Sequence, residues 1–394
     1  MFSSLPAPKA DPILSLGVIF KEDPRPNKID LGIGVYRNSD GVTPIMSAVR
    51  KAMLTQAETQ PTKAYIGLAG NETFNQAMTD LLLGGTASYD RASAIQTPGA
   101  SGALRMLADL IASTKPNTTV WISRPSYVNH QPIMTAAGLA VREYPFFDAE
   151  TKRVDEAAML AQIAELGQDD VLLLHGCCHN PTGGDISIEA WQQIADLAVR
   201  NGFLPFVDIA YQGFGDGLME DAAGLRLLAD AVPQLLISTS CSKNFGLYRE
   251  RTGAAIIIAD SLEATMKARG RALELARGTY SMPPDHGADI VANILGNEAL
   301  KAEWLAELAA MNQRINRLRT QLTQTFREQS DSDRFDYFSE HRGMFSVTGL
   351  SNDQIAALRD EHGLYIVGGG RVNVAGMKER DIPTVVKAFL AVGA

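Results

Sequence analysis

Leu204-Pro205-Phe206-Val207-Asp208 reads as a buried strand that ends on a carboxylate. Two neighbouring stretches repeat the pattern with other polar ends. Val171-Leu172-Leu173-Leu174 continues through His175-Gly176-Cys177-Cys178-His179 to Asn180, and Leu235-Leu236-Ile237-Ser238-Thr239-Ser240-Cys241-Ser242 leads to Lys243. Unbroken apolar runs of this length suit strands covered on both faces, as in a parallel sheet between helical layers. Ligands of open α/β sheets gather beyond the carboxyl ends of the strands, so an acid, an amide and an amine delivered there can converge on one molecule.

Outward from these runs, helices over about 71–83, 102–114, 188–201 and 221–231 alternate with strands over about 119–123, 171–174, 204–208, 235–239 and 254–258. The alternation predicts a mainly parallel sheet. Helical periodicity begins near Pro44, after a short strand over Ile29 to Tyr36 and the turn residues Asn38-Ser39-Asp40-Gly41. Prolines 6, 8, 12, 24 and 26 predict an arm and an irregular lead-in without long helices, and arms of this kind often reach a neighbour. Asn297 to Gln329 reads as one long amphipathic helix joining two units. Beyond it, strands at Met344–Val347, Tyr365–Val367 and Arg371–Val374 and a final helix near Ile382–Val392 outline a smaller α+β unit.

A chain of 394 residues, 45% hydrophobic, can bury a deep site. The formal net charge of -9 and the absence of a polybasic cluster argue against nucleic acid as a partner. No apolar run approaches the roughly 20 residues that a membrane helix needs, and the N-terminus has no signal-peptide pattern. The three cysteines lack the spacing of a disulfide framework, which fits a reducing, cytoplasmic setting. The His175-Gly176-Cys177-Cys178-His179 stretch could suggest zinc, but adjacent cysteines are not expected to point at one metal, so no metal is expected.

Taken alone, Lys243 is more often a surface amine than a desolvated nucleophile, and Asp208 more often a cap or turn residue. Two glycines and a tyrosine crowd the loop after Asp208, however, more specialists than a cap requires. Pyridoxal phosphate would use every one of these groups: a lysine for a Schiff base, a carboxylate for the ring nitrogen, and phenol or amide donors for the ring oxygen.

Cys178-His179-Asn180-Pro181-Thr182-Gly183, Asp208-Ile209-Ala210-Tyr211-Gln212-Gly213-Phe214 and Ser240-Cys241-Ser242-Lys243-Asn244-Phe245-Gly246 together resemble the aspartate and aromatic amino acid aminotransferases. The likeness extends to Leu31-Gly32-Ile33-Gly34-Val35-Tyr36, Thr97-Pro98-Gly99-Ala100-Ser101-Gly102, Tyr280-Ser281-Met282-Pro283-Pro284 and Arg371-Val372-Asn373-Val374-Ala375-Gly376. It implies a three-layer α/β sandwich over residues 45–310, a smaller α+β domain from both chain ends (13–44 and 311–394), and an arm over 1–12. It also implies pyridoxal 5'-phosphate and a homodimer with active sites at the interface. Lys243 would carry the Schiff base and shuttle the substrate proton, Asp208 would hold the ring nitrogen protonated with His130 behind it, and Asn180 and Tyr211 would bind the ring oxygen. Ala100, Ser101, Ser240 and Arg251 resemble the phosphate ligands, with Tyr65 lent by the neighbouring subunit. Gly34, Tyr127, Asn180, Arg371 and, from across the interface, Arg277 would meet the substrate, Arg371 at the α-carboxylate and Arg277 at a side-chain carboxylate.

Tyr127 stands where the aspartate-specific pattern has tryptophan, Ser101 where it has threonine, and Ala64 and Met282 where it has asparagine. Loss of two amides near the distal substrate end lowers the penalty for an aromatic ring. The expected activity is transamination between aromatic or dicarboxylic L-amino acids and 2-oxo acids such as 2-oxoglutarate. The alternatives are a strictly aspartate-specific enzyme, a non-catalytic ligand-sensing relative, and a pyridoxal decarboxylase or lyase, against which Arg371 with Arg277 argues.

Overall fold

The computed structural model describes residues 2–5 and 12–394. Seven strands form its central sheet: β1 (Ala92–Pro98), β2 (Thr119–Arg124), β3 (Ala140–Pro145), β4 (Asp170–His175), β5 (Leu204–Ile209), β6 (Leu235–Ser240) and β7 (Thr252–Ile258). Their order is β1-β7-β6-β5-β4-β2-β3. β7 runs antiparallel to both neighbours and every other pairing is parallel.

The apolar runs bury both faces because alternate residues enter different cores. Leu173, Phe206, Leu236 and Ile257 pack against helices Gly99–Thr114 and Leu262–Thr279. Leu174, Val207, Ile237 and Ile256 enter a larger core with helices Glu72–Leu83, Ile188–Asn201, Ala223–Ala231 and Asp285–Gly296. The result is an α/β three-layer sandwich. Phe206 is fully buried, so Phe206→Ala would cost about 3–5 kcal/mol.

Helix Glu298–Ser330 begins at Asn297, whose side chain accepts from the N–H groups of Ala299 and Leu300. Its first half places Trp304, Leu308 and Ile315 in the larger core. Its second half places Leu318, Leu322 and Phe326 in a third core with Leu31, Leu358, Val372 and Phe389. Arg319, buried in this helix, donates to the carbonyls of Phe338, Gly343 and Phe345 at 2.9, 2.8 and 2.7 Å, so its charge is distributed over backbone oxygens. Ile29–Asp30 pairs in parallel with Leu364–Tyr365, and Phe345–Val347 pairs antiparallel with Arg371–Asn373. Both chain ends therefore build the smaller α+β unit.

Several expectations need correction. The proline-rich lead-in contains an 11-residue helix, Pro12–Glu22, because Pro12 occupies a first-turn position that needs no N–H bond and no proline follows until Pro24. The strand expected over Ile29 to Tyr36 stops at Asp30, and the strand expected at Tyr365–Val367 is Leu364–Tyr365 with a single further bridge at Val367. Residues 1 and 6–11 of the expected arm lie outside the described residues. Sequence periodicity did not reveal β1, β3 or the helices Leu262–Thr279, Asp285–Gly296 and Asn352–His362. β1 mixes small and polar residues, and Leu262–Thr279 is so rich in charge that its apolar stripe is thin.

Candidate active site

The register of the sheet sets the acid. His175 pairs with Asp208, and Asp208 pairs with Ser238, which places three polar residues in one row on β4, β5 and β6. Asp208 alternates with Val207 and Ile209, so its side chain shares the Phe206 face, toward helix Gly99–Thr114. Ser238 Oγ donates to Asp208 Oδ1 at 2.6 Å, and His130 Nε2 lies 3.1 Å from Oδ2. His130 opens helix His130–Ala136, and its Nδ1 lies 2.9 Å from Ser126 Oγ. Burial alone would raise the Asp208 carboxyl, but the hydrogen bonds and charge of His130 with the Ser238 bond outweigh it and hold the group below the usual carboxylate range.

Lys243 follows the end of β6, in a turn clamped by Trp304, whose Nε1 donates to Asn244 O at 2.7 Å and whose ring stacks on Phe245. The amine lies 4.9 Å from the centre of the Tyr211 ring. Burial pushes its pKa down to about 8; Asp208 opposes the shift, while Arg251 and Arg371 assist it. A neutral amine is therefore accessible near neutral pH, the condition for a nucleophile or general base.

Asn180 Nδ2 donates to the Tyr211 hydroxyl at 3.2 Å, and burial raises the pKa of that phenol. Arg371 reaches Asn180 Oδ1 at 3.4 Å and Gly32 O at 2.8 Å, with its guanidinium 4.4 Å from the centre of the Phe345 ring. Its Nε is buried without a hydrogen-bond partner, and the titratable groups that favour the charge on the guanidinium are the phenols of Tyr211 and Tyr127, with no carboxylate among them. A buried cation in this condition suits an incoming carboxylate.

At the opposite end, helix Gly99–Thr114 starts three residues earlier than the 102 expected, and Pro98 provides no side-chain cap. Its first N–H groups, at Ala100 and Ser101, are thus available for an anion. Gly99 has φ +69°, and a Cβ there would stand 2.6 Å from Arg251 Nη2. A Cβ on Gly253 would stand 2.6 Å from Gly99 C and 2.8 Å from Ala100 N. Only glycines leave this cradle open to a phosphate-sized group.

One cavity of about 150 Å³ joins these parts. Ala100, Ser101 and Ser240 line it with Arg251, and so do Tyr127, Asn180, Asp208, Tyr211 and Lys243; Arg371 is not in the lining and reaches the cavity through its bond to Asn180. Tyr65, 90% exposed, and Arg277, exposed with Nη1 2.7 Å from Ser281 Oγ, lie outside its lining, as does Gly34, which packs against Phe345. His175, Ala210, Ser242 and Tyr248 also line the cavity, and sequence reasoning did not assign them. The row of β4, β5 and β6 carboxyl ends was a signal for His175. Ser238 could not have been found without the register. A larger cavity of about 510 Å³ lies at the other end of the strands, but its Asp170 is already bonded to Trp121 and Gly167 and it brings no catalytic set together.

Contrary to expectation, Cys177 and Cys178 do approach one another, with ligand atoms within 4.8 Å of each other and of Asp221. The left-handed backbone at Cys178, φ 51°, permits this. The donor set nevertheless suits a metal poorly. Asp221 accepts N–H bonds from Gly213, Gly215 and Asp216, and burial pushes the Cys178 thiol well up.

Residues 26–389 match the family model for aminotransferase class I and II. The chain is 45% identical over 393 residues to an aromatic-amino-acid aminotransferase of Paracoccus denitrificans, and all of both chains is covered. It is 46% identical over 395 residues to an aspartate aminotransferase of Salmonella typhi, again over all of both. Among solved structures it is similar to an aromatic-amino-acid aminotransferase from Burkholderia pseudomallei covalently bound to pyridoxal phosphate, with TM-score 0.97 and 38% identity over 100% of this chain and 99% of that one. The chain belongs to the class I and II aminotransferases and is an amino-group transferase.

Proposed function

We propose that this enzyme uses pyridoxal 5'-phosphate to move amino groups between aromatic or dicarboxylic L-amino acids and 2-oxo acids such as 2-oxoglutarate, in two half-reactions of a ping-pong cycle. The observation that carries the reading is that Lys243 and Asp208 share one cavity with an anion cradle, while the uncompensated guanidinium of Arg371 reaches its Asn180 wall. The cofactor, when bound, supplies an aldehyde that condenses with amines and a ring that accepts the electrons left when the substrate Cα–H bond breaks.

The residues divide the remaining work. Ala100, Ser101, Ser240 and Arg251 hold the phosphate, and Asp208 keeps the proton on the ring nitrogen through charge attraction. Asn180 and Tyr211 donate to the ring oxygen, and Tyr127 offers an aromatic face to the ring. Lys243 would hold the cofactor aldehyde covalently and, once released, its amine would take the substrate Cα proton and deliver it across the imine nitrogen to the former aldehyde carbon. Arg371 fixes the α-carboxylate, with Gly34 nearby, so that the Cα–H bond stands perpendicular to the ring.

Tyr65 and Arg277 are exposed and lie outside the cavity of their own chain. That placement favours a homodimer in which a second copy supplies both, Tyr65 to the phosphate and Arg277 to a side-chain carboxylate. Domain boundaries at 13–44 with 311–394 and at 45–310 put Arg371 and Lys243 on different units, so closure would bring substrate and amine together. The three cysteines form no disulfide, which supports a cytoplasmic setting.

Borohydride reduction of the protein reconstituted with pyridoxal phosphate, followed by peptide mapping, should place the label on Lys243. A label elsewhere, or no amino-group transfer to 2-oxoglutarate from aspartate, tyrosine or phenylalanine, refutes the reading. Aspartate favoured over aromatic donors by more than about a thousandfold in kcat/KM, roughly 4 kcal/mol, would make the enzyme aspartate-specific.

A further inference from the structure

Tyr248 lines the cavity beside Arg251, five residues beyond Lys243. Its phenol oxygen accepts the backbone N–H of Tyr36 at 3.0 Å, and its backbone carbonyl accepts from Arg251 Nη1 at 3.1 Å. It thus connects the anion cradle with the segment Gly32–Tyr36, which belongs to no strand. Arg371 depends on that segment. Gly32 O accepts its Nη2 at 2.8 Å, and Asn373, on the same short strand as Arg371, donates through Nδ2 to Ile33 O at 2.6 Å and Val35 O at 2.8 Å. The segment is therefore pinned on one side by the strand carrying Arg371 and on the other by the Tyr248 hydroxyl.

We infer that Tyr248 is a positioning residue for carboxylate recognition: by holding the N–H of Tyr36 it fixes Gly32–Tyr36, and through it Arg371, at a set distance from Arg251. Substrate and cofactor are thereby held in register, because the carboxylate and phosphate sites share one hydrogen-bonded frame. Removal of the hydroxyl leaves a backbone donor without its acceptor and lets the segment move, while the ring still fills the cavity wall. The inference rests on the proposed role of Arg371 in binding the substrate carboxylate.

The test is Tyr248→Phe in the holoenzyme, read by steady-state kinetics with aspartate and phenylalanine and by calorimetric binding of succinate, a dicarboxylate with no amine to transfer. KM for both donors and the succinate Kd should rise about tenfold, with kcat within about threefold of wild type and cofactor affinity unchanged. Unchanged KM and Kd overturn the inference. So does a fall in kcat or cofactor affinity that exceeds the rise in KM, because Tyr248 would then act on the cofactor. Wild-type protein that transfers no amino group, or whose succinate binding survives Arg371→Leu, refutes the functional reading instead.

Discussion

Ser238 Oγ donates a 2.6 Å hydrogen bond to Oδ1 of Asp208, its register partner on the adjacent strand, and so fixes the carboxylate from below the cavity floor. His130 occupies the other oxygen at 3.1 Å. Between them they hold a buried acid ionised against the pull of desolvation. That anion is the group a pyridine-ring cofactor needs beneath its nitrogen.

Asp208→Asn should lower kcat by about 10² to 10³, whereas Ser238→Ala, which removes one of two supports, should cost about tenfold or less. Steady-state turnover of both variants checks this, and an Asp208→Asn enzyme within tenfold of wild type would reassign the acid. The folded pKa of Asp208 lies below the ordinary 3.8, so its stabilising contribution is complete above that value and disappears as pH falls through the folded one. Urea unfolding of wild type and Asp208→Asn from about pH 5 to about pH 2 should therefore converge at the acid end.

Lys243 should titrate near its shifted value of about 8 in cofactor-free protein. About a tenth of the amine is then neutral at pH 7, against less than a thousandth for an ordinary lysine. The unfolded chain holds this proton more tightly than the folded one, so the stability of cofactor-free protein should gain from Lys243 as pH rises from about 8 toward 10.5. Acylation of Lys243 followed by mass spectrometry across pH measures the midpoint. A midpoint at about 10 or above would mean the amine is solvated.

Arg277→Leu should depress kcat/KM for aspartate by at least about a hundredfold and change it less than tenfold for phenylalanine. A mixture of Arg277→Leu and Lys243→Ala chains provides the stronger check. Exchange of subunits should restore about a quarter of wild-type aspartate turnover, because each mixed dimer contains one site with both residues intact. No recovery after demonstrated exchange would place Arg277 in the site of its own chain, or in none.

Gly99→Ala and Gly253→Ala should separate cofactor binding from folding. At Gly99 the new methyl meets the far end of the Arg251 side chain, so Arg251 is displaced and cofactor affinity should fall about tenfold or more, with about 1 kcal/mol of stability lost to the left-handed φ of +69°. At Gly253 it meets Thr239 O at 2.5 Å and Gly99 C at 2.6 Å, atoms that cannot move away, so the loss should appear as a lower melting midpoint. Equilibrium cofactor titration and thermal unfolding of both variants distinguish the two outcomes.

The buried-strand runs were legible because apolar residues that serve two cores leave an unbroken signature. The acid, amide and amine at their ends were legible for the same reason. Edge strand β3, with most of its residues partly or fully exposed, and the charged helix Leu262–Thr279 were not, since neither has a broad apolar face. The helix after Pro12 was hidden by reading each proline as a breaker, although at a helix start it is none.

By itself, the sequence marked the alternation of helices and strands and the polar residues Asn180, Asp208 and Lys243 that follow three apolar runs, because hydrophobic period is a property of neighbours along the chain, while Tyr211, Arg251 and Arg371 were singled out by the resemblance of their motifs. Only the tertiary structure decided that Ser238 supports Asp208, that Tyr248 meets Tyr36, and that Tyr65 and Arg277 stay outside their own cavity. Those relations depend on strand register and on contacts between residues far apart in the chain, which side-chain packing sets and local sequence does not encode.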